Sequence, residues 1–276
     1  MKFTYINEEF VTPPGTLVEI LAHPIYQQSQ SIELALFAEH RYSFFFWNKW
    51  TRKLIAGDII NHVPALITLD WHQDLVYPTT EEKRWLRTLD VSSNKNVSLY
   101  AWGNLRPLND THVLSAAYLN LIGNIYIHCR QGDFEDDWKD EYIKDRFGNI
   151  HTIRKFKNYD DLEAHLLSSR EHHAYFDIDL DFFTIDNPLN GAGKDFTYLK
   201  NAEIVQMLQL ERPLIKWLFQ RICGITIATE PEHTGGLFHS NKLLEVINNI
   251  YFKPSLFTNY GENWRKSCTW KHLPRE

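Results

Sequence analysis

The sequence predicts a three-layer α/β fold, with a mostly parallel sheet covered by helices on both faces. Three observations carry this. Short apolar runs rich in β-branched residues alternate with helix-length stretches along the chain, the pattern of parallel strands joined by crossover helices. Four of those runs end in ionisable clusters, at His40, at Asp70–Asp74, within Asp177–Asp181 and at Glu230, and ligands of such sheets bind at the C-terminal ends of strands. The chain has 276 residues, 43% hydrophobic and 23% charged, enough for one sizeable core. Residues 1–276 are therefore read as a single domain.

In order along the chain, Phe3–Tyr5 and Leu17–Leu21 are short apolar stretches around a Pro13-Pro14-Gly15 turn. Ile32–Phe37 is an apolar run that stops at Ala38-Glu39-His40. Arg41–Lys53 carries Phe44, Phe45, Phe46, Trp47 and Trp50 without a single clean period. It is read as a helix packed on the sheet, its aromatics serving the core rather than a peptide groove. Val63–Leu69 reads as a buried strand with polar groups at its C-terminal end. Thr79–Leu89 is a polar helix and Val97–Trp102 a short strand. Asp110 or Thr111 caps a helix over Val113–Ile122, which ends at Gly123-Asn124. Ile125–Cys129 is a strand, and the acidic stretch Gln131–Asp145 a solvated surface loop or helix. Ile150–Phe156 is a strand, Tyr159–Ser169 a helix, and His173–Phe183 the central strand. Asp186–Lys194 reads as a Pro/Gly/Asn loop without a Walker pattern. Thr197–Arg221 is helical and broken near Pro213, Gly224–Thr229 is a strand ending at Glu230-Pro231-Glu232-His233, and Ser240–Ile250 is a helix. The tail from Tyr251 is aromatic and irregular.

Composition excludes several functions. A net charge of −6 disfavours nucleic acid and anionic membrane surfaces, which call for clustered Lys and Arg. No run approaches the ~20 apolar residues of a membrane span. Three isolated cysteines, Cys129, Cys223 and Cys268, form no disulfide framework or zinc motif, and the first residues lack a signal-peptide core. A reducing cytoplasm is the expected location.

The chemistry centres on Tyr175–Phe183. Asp177, Asp179 and Asp181 alternate inside an apolar run, so on a strand they crowd onto one side. Buried like charges repel, and a cation is the simplest remedy. Asp70, His72 and Asp74 repeat the spacing, and three ligand-type residues at i, i+2 and i+4 can approach one site. Carboxylate and imidazole together suit Mn²⁺, Fe²⁺, Co²⁺ or Zn²⁺ better than Ca²⁺ or Mg²⁺. There are too many carboxylates for one catalytic zinc with three protein ligands. Two metals sharing bridging carboxylates would use them all.

At these residues the chain resembles a known family. Asp70-Trp71-His72-Gln73-Asp74 resembles the Asp-x-His-x-Asp motif of arginases and other ureohydrolases, and Phe176-Asp177-Ile178-Asp179 their Asp-x-Asp motif. Glu39-His40 after a strand is similar to the position of their first histidine ligand. The resemblance implies an arginase-like fold and two Mn²⁺ per chain. One ion would be held by His40, Asp70, Asp74 and Asp177, and the second by Asp70, His72, Asp177 and Asp179. It also implies Glu230 as the carboxylate that clamps a substrate guanidinium, with Asp74 relaying a proton to the leaving amine and His112 assisting. Glu230 is favoured for the clamp, with its neighbour Glu232 as the alternative. His112 reads either as this proton shuttle or as an exposed residue in a helix's first turn.

The departures are specific. Ala38-Glu39-His40-Arg41-Tyr42-Ser43 stands where Gly-Gly-Asp-His-Ser is usual. Trp71 replaces a small residue, and Leu180-Asp181-Phe182-Phe183 follows Asp179 instead of Gly-Leu-Asp-Pro. Segments that bind the α-amino and α-carboxylate groups of a free amino acid are not recognisable. The chain thus resembles a divergent branch that includes an uncharacterised-protein family and the peptide arginases of ribosomal peptide biosynthesis. That implies an arginine-containing peptide as substrate, with ornithine and urea as products. The alternatives are another amidinohydrolase or amidohydrolase acting on a small molecule, and a non-catalytic interaction protein of the same fold. Asp181 is read as supporting the ligands, and His172, His173 and His233 as structural or surface residues.

Overall fold

Burial on both faces decides which segments become central strands. Ala65–Asp70 and Ala174–Asp179 are buried at every position, so each must pair on both sides and be covered on both sides. The computed structural model describes residues 11–132, 134–190, 192–257 and 268–272; the Phe3–Tyr5 stretch and parts of the tail lie outside them. In chain order the elements are β1 (Leu17–His23), β2 (Gln27–Phe37), α1 (Ser43–Ala56), β3 (Ala65–Asp70), α2 (Thr80–Thr88), α3 (Asn94–Gly103), α4 (His112–Tyr118) and β4 (Ile125–Cys129). Next come β5 (Glu141–Lys144), β6 (Ile150–Phe156), α5 (Tyr159–Ser168), β7 (Ala174–Asp179), β8 (Thr184–Asn187), β9 (Ala192–Tyr198), α6 (Asn201–Leu208) and α7 (Pro213–Phe219). The last are β10 (Ile222–Ala228), α8 (Leu237–Tyr251), β11 (Phe252–Lys253) and β12 (Thr269–Trp270).

Eight strands form the main sheet in the order β1-β2-β10-β7-β3-β4-β6-β5. Neighbours from β2 to β6 pair in parallel, and β1 and β5 close the edges in antiparallel fashion. The expected mostly parallel α/β sheet is therefore present, with antiparallel edges. Alternation along the strands divides the core in two. Ile67, Phe176 and Ile178 face the layer of α5, α6, α7 and α8, whereas Leu66 and Tyr175 face that of α1, α3 and α4. The aromatic run Phe44–Trp47 is fully buried in the second layer, worth roughly 1.5–3 kcal/mol for each such side chain. Its reading as core rather than groove holds.

Several segments differ from their sequence prediction. Val97–Trp102 lies in helix α3, not in a strand. The Ser93 hydroxyl caps Asn96 N–H at 3.2 Å, and Val97, Ser98, Tyr100 and Ala101 bury one helical face. A short apolar run alone does not separate strand from helix; the cap does. Asp186–Lys194 contributes to the hairpin β8–β9, and the central strand stops at Asp179, with Leu180–Phe183 forming a 3₁₀ turn. No helix among the described residues is long and apolar enough to cross a membrane.

The chain crosses the sheet in one direction through β1, β2, β3, β4 and β6 and then turns back, placing β7 beside β3 and β10 between β7 and β2. The C-terminal ends of β2, β10, β7 and β3 thus meet at a topological switch point, the place where such sheets bind ligands. Gly224 lets β10 sit there. A Cβ at this position would lie 2.4 Å from the Trp50 ring, and that ring is fixed by its Nε1–H bond to Glu33 at 2.9 Å. Gly224→Ala is expected to destabilise the fold by about 1–3 kcal/mol through overpacking. Urea unfolding of the variant beside the parent chain measures this, and equal midpoints would refute it.

Candidate metal centre

Four strand ends and the start of α4 bring the ionisable residues together. His40 follows β2 in a short 3₁₀ turn leading into α1, and its side chain is completely buried. Its two ring nitrogens face different environments. Nε2 lies 2.8 Å from Asp177 Oδ2. Nδ1 lies 3.4 Å from Asp70 Oδ2, 3.1 Å from Asp74 Oδ2 and 3.1 Å from Asp179 Oδ2.

Asp177, read from the sequence as a bridging ligand, stands apart from these three. In register it lies opposite Thr68 of β3 and Thr226 of β10, one side-chain level below the strand ends. Its Oδ2 accepts from Thr68 Oγ1 at 2.8 Å as well as from His40, and its Oδ1 accepts from the Ser43 and Thr226 hydroxyls. A carboxylate has about four lone-pair sites, and here protein donors occupy them all. A carboxylate of this kind fixes a ligating histidine: with Nε2–H donated to Asp177, the Nδ1 lone pair points at the other three aspartates.

Asp70, Asp179 and Asp181 each use one oxygen locally and present the other. Asp70 Oδ1 accepts His72 N–H at 2.7 Å, Asp179 Oδ1 accepts Asp181 N–H at 3.1 Å, and Asp181 Oδ1 accepts Trp71 N–H at 3.1 Å. The second oxygens of Asp70 and Asp179 turn to His40 Nδ1. Asp181 Oδ2 lies 3.1 Å from His72 Nδ1 and accepts no hydrogen bond. Asp181 therefore joins the cluster directly rather than merely supporting it. β3 stops at Asp70, so the i, i+2, i+4 spacing does not act through a strand. His72 and Asp74 sit on the following loop, which Asp74 turns with φ 51°.

Glu230 follows β10 and is buried, while Glu232 is exposed; the structure thereby separates the two candidates. Glu230 Oε1 accepts His40 N–H at 3.2 Å and the Asn109 side-chain amide. His112 is also buried, not exposed. It opens α4, its ring centroid 4.4 Å from that of His40 and its face on Trp47. His112 Nδ1 pairs with Asn109 carbonyl at 2.8 Å and lies 3.8 Å from Asp74. Nδ1 is then the protonated nitrogen, and Nε2 is a buried acceptor without a partner. His172 and His173 lie at the opposite end of β7 from Asp179. His233, read as structural or surface, has its ring against His72 with centroids 5.4 Å apart.

Electrostatics show what the cluster lacks. Burial, then the charges of Asp74 and Asp181, hold the Asp70 carboxyl well above the usual range. Burial and Asp181 push Asp179 up to about 7. Burial followed by Asp179 and Asp181 does the same to Glu230, well above its ordinary value. Burial works against charging His40, yet Asp177 and Asp179 together raise it well above the usual imidazole range. Burial and the charge of His40 lower His112 to about 4. Burial opposes ionisation of Asp177 too, but His40 and the Thr226 hydroxyl outweigh it and keep that carboxyl low. No Lys or Arg among the described residues forms a salt bridge with Asp70, Asp74, Asp177, Asp179, Asp181 or Glu230.

This donor set fits divalent metal. Ligand atoms roughly 2.1 Å from one ion, at tetrahedral to octahedral angles, are roughly 3–3.4 Å apart, the spacing of the three oxygens around His40 Nδ1. Overlapping groups of potential ligands comprise His40, Asp74 and His112; His40, Asp70 and Asp179; Asp70, His72 and Asp74; Asp179, Asp181 and Glu230; and His72, Asp181 and His233.

Sequence reasoning missed Ser43, Thr68, Thr226 and Asn109, and it read His233 as structural or surface. Threonine inside an apolar strand passes for ordinary β-propensity, and only pairing register shows that two of them flank Asp177.

No protein-family model matches the chain, and no curated protein matches it. Among solved structures, the proclavaminate amidino hydrolase from Streptomyces clavuligerus is similar with a TM-score of 0.39 at 12% identity, over 71% of this chain and 54% of that one. The chain spans about half the length of that enzyme.

Proposed function

We propose that the chain is a metal-dependent hydrolase of guanidinium groups, acting on arginine side chains within a peptide to give ornithine and urea. The observation that carries this reading is the division of labour around His40. Asp177 takes one ring nitrogen, and the free oxygens of Asp70, Asp74 and Asp179 converge on the other. That geometry moves the ligand assignment along β7 by one side-chain level. His40, Asp70, Asp74 and Asp179 would hold the first ion, and Asp70, His72, Asp179 and Asp181 the second, with Mn²⁺ the expected metal. Asp177 orients His40 instead of bridging.

A divalent metal held there would supply an activated water at neutral pH, the nucleophile that hydrolysis of a guanidinium requires. The chain's own residues do the rest. Glu230 is a buried carboxylate whose position favours a cation, and charge-assisted hydrogen bonds from a guanidinium satisfy it. Asn109 and the His40 amide fix its orientation before substrate arrives. Asp74 and His112 both lie against the His40 ring. Asp74 moves the proton to the leaving amine, and His112 offers its unpartnered Nε2 as an acceptor. Support for a peptide comes from the sequence, in which no segment matches the binding elements for the α-groups of free arginine.

The ligand assignment separates two variants. Asp70→Ala is expected to lose both metals and all urea release. Asp177→Asn is expected to keep two metals per chain with affinity lowered roughly 10–100-fold, as for other partners of ligating histidines. Elemental analysis after gel filtration, with circular dichroism to verify folding, reads both. A folded Asp177→Asn chain that retains no metal even at saturating Mn²⁺ would restore Asp177 as a ligand and overturn the shifted assignment.

Substrate class is decided by urea release with added Mn²⁺ from arginine-containing peptides, set beside free arginine at equal concentration. The peptide is expected to be turned over at least tenfold more efficiently, a difference of about 1.4 kcal/mol in transition-state binding. Preference for free arginine would exclude the peptide reading while leaving guanidinium hydrolysis intact.

A further inference from the structure

His72, Asp181 and His233 bring two imidazoles and a carboxylate together at the outer side of the cluster. One ligand atom from each lies within 4.8 Å of the other two. Two buried atoms of the group make no hydrogen bond, although one of them, Asp181 Oδ2, lies 3.1 Å from His72 Nδ1. Asp181 is fully buried, and its Oδ2 accepts no hydrogen bond. His233 Nδ1 is likewise buried without a partner.

The backbone around His233 is fixed from several directions. Its N–H donates to Glu230 carbonyl at 3.0 Å, and its carbonyl accepts from the Asn187 side chain at 3.0 Å. The next residue is held as firmly, with Thr234 Oγ1 bonded to Glu230 carbonyl at 3.0 Å and Thr234 carbonyl accepting from Tyr198 hydroxyl at 3.0 Å. Gly235 allows this packing, because its φ is 78° and a Cβ would fall 2.6 Å from the Tyr198 oxygen. The chain thus pins His233 in place while leaving its buried nitrogen unsatisfied, an arrangement that costs free energy until something binds there.

We propose that His233 is a protein ligand of the second metal, which it would hold together with His72 and Asp181. This rests on the two-metal reading above and extends it by a residue outside the arginase-like motifs. It also makes the two sites chemically unequal. The first ion has one imidazole and several carboxylates, whereas the second has two imidazoles. Imidazole favours Fe²⁺, Co²⁺ and Zn²⁺ over Mn²⁺, so the second site is the one that discriminates among metals.

Titration of the full chain with Co²⁺, followed by visible absorption and equilibrium dialysis, tests this. Two equivalents are expected to bind to the wild type. His233→Ala is expected to bind one as before and the other at least tenfold more weakly, with loss of part of the absorption. His239→Ala, whose ring stacks on Tyr198, is the control and keeps both. If the wild type binds two equivalents and His233→Ala binds both with unchanged affinity and spectrum, His233 is not a ligand and only this inference falls. If the wild type binds fewer than two, the two-metal reading falls and this inference with it.

Discussion

The hydrogen bond between His40 and Asp177 is the contact on which the arrangement depends. It joins a residue after β2 to the middle of β7, and both partners are fully buried. Desolvating a carboxylate costs several kcal/mol unless hydrogen bonds and charge offset it. Asp177 has both: donors from Ser43, Thr68, Thr226 and His40, and the charge His40 carries when protonated. The same bond commits His40 Nε2 and so aims Nδ1 at Asp70, Asp74 and Asp179. Without it, three buried carboxylates would face an imidazole free to rotate. With it, they face a fixed nitrogen, and a cation placed among them replaces the proton of His40 as the compensating charge.

The backbone is bent to serve this cluster. Asp74, Asn109 and Glu230 are three of the six described non-glycine residues with positive φ. Asp and Asn tolerate that region because short polar side chains bond locally, but Glu does not do so readily. Glu230 is kept at φ 31° by its neighbours: its N–H donates to Ala38 carbonyl at 3.2 Å, and its carbonyl accepts from His233 and Thr234. Such conformations cost on the order of 1–3 kcal/mol each and persist where surrounding structure determines them. Here the turn after β10 both aims the Glu230 carboxylate inward and delivers His233 to the outer side.

Much of this was legible in the sequence, and the rest fails for identifiable reasons. Strand–helix alternation gives the sheet because β-branched runs buried on both faces have few other solutions. Asp70, His72, Asp74, His40 and Glu230 could be picked out because ligand-type residues at strand ends are rarely explained by packing. The choice between Asp177–Asp179 and Asp179–Asp181 is different. Alternation with period 2 makes any adjacent pair of the three equivalent, and no local signal breaks the tie. The residues that favour the second pair in the proposed assignment are Thr68 and Thr226, more than 40 positions away on either side in the chain and visible only once strand register is known. The misread α3 is the reverse case: the apolar run Val97–Trp102 carried too little length to specify its period, and Ser93 held the information.

Access completes the argument about substrate. The side chains of His40, Asp70, Asp177, Asp179 and Asp181 are at most 2% exposed, whereas that of His72 is 22% exposed. The cluster therefore opens on the side of His72 and His233, while its His40 side is closed by Trp47 and His112. A substrate reaching it must present a small cationic end and keep its bulk outside. A guanidinium carried on the flexible arm of an arginine side chain meets that requirement whatever is attached at the other end. Under the proposed function, selection between a peptide and a free amino acid would fall to the rim around His72 and His233, and Glu230 would recognise only the feature the two share.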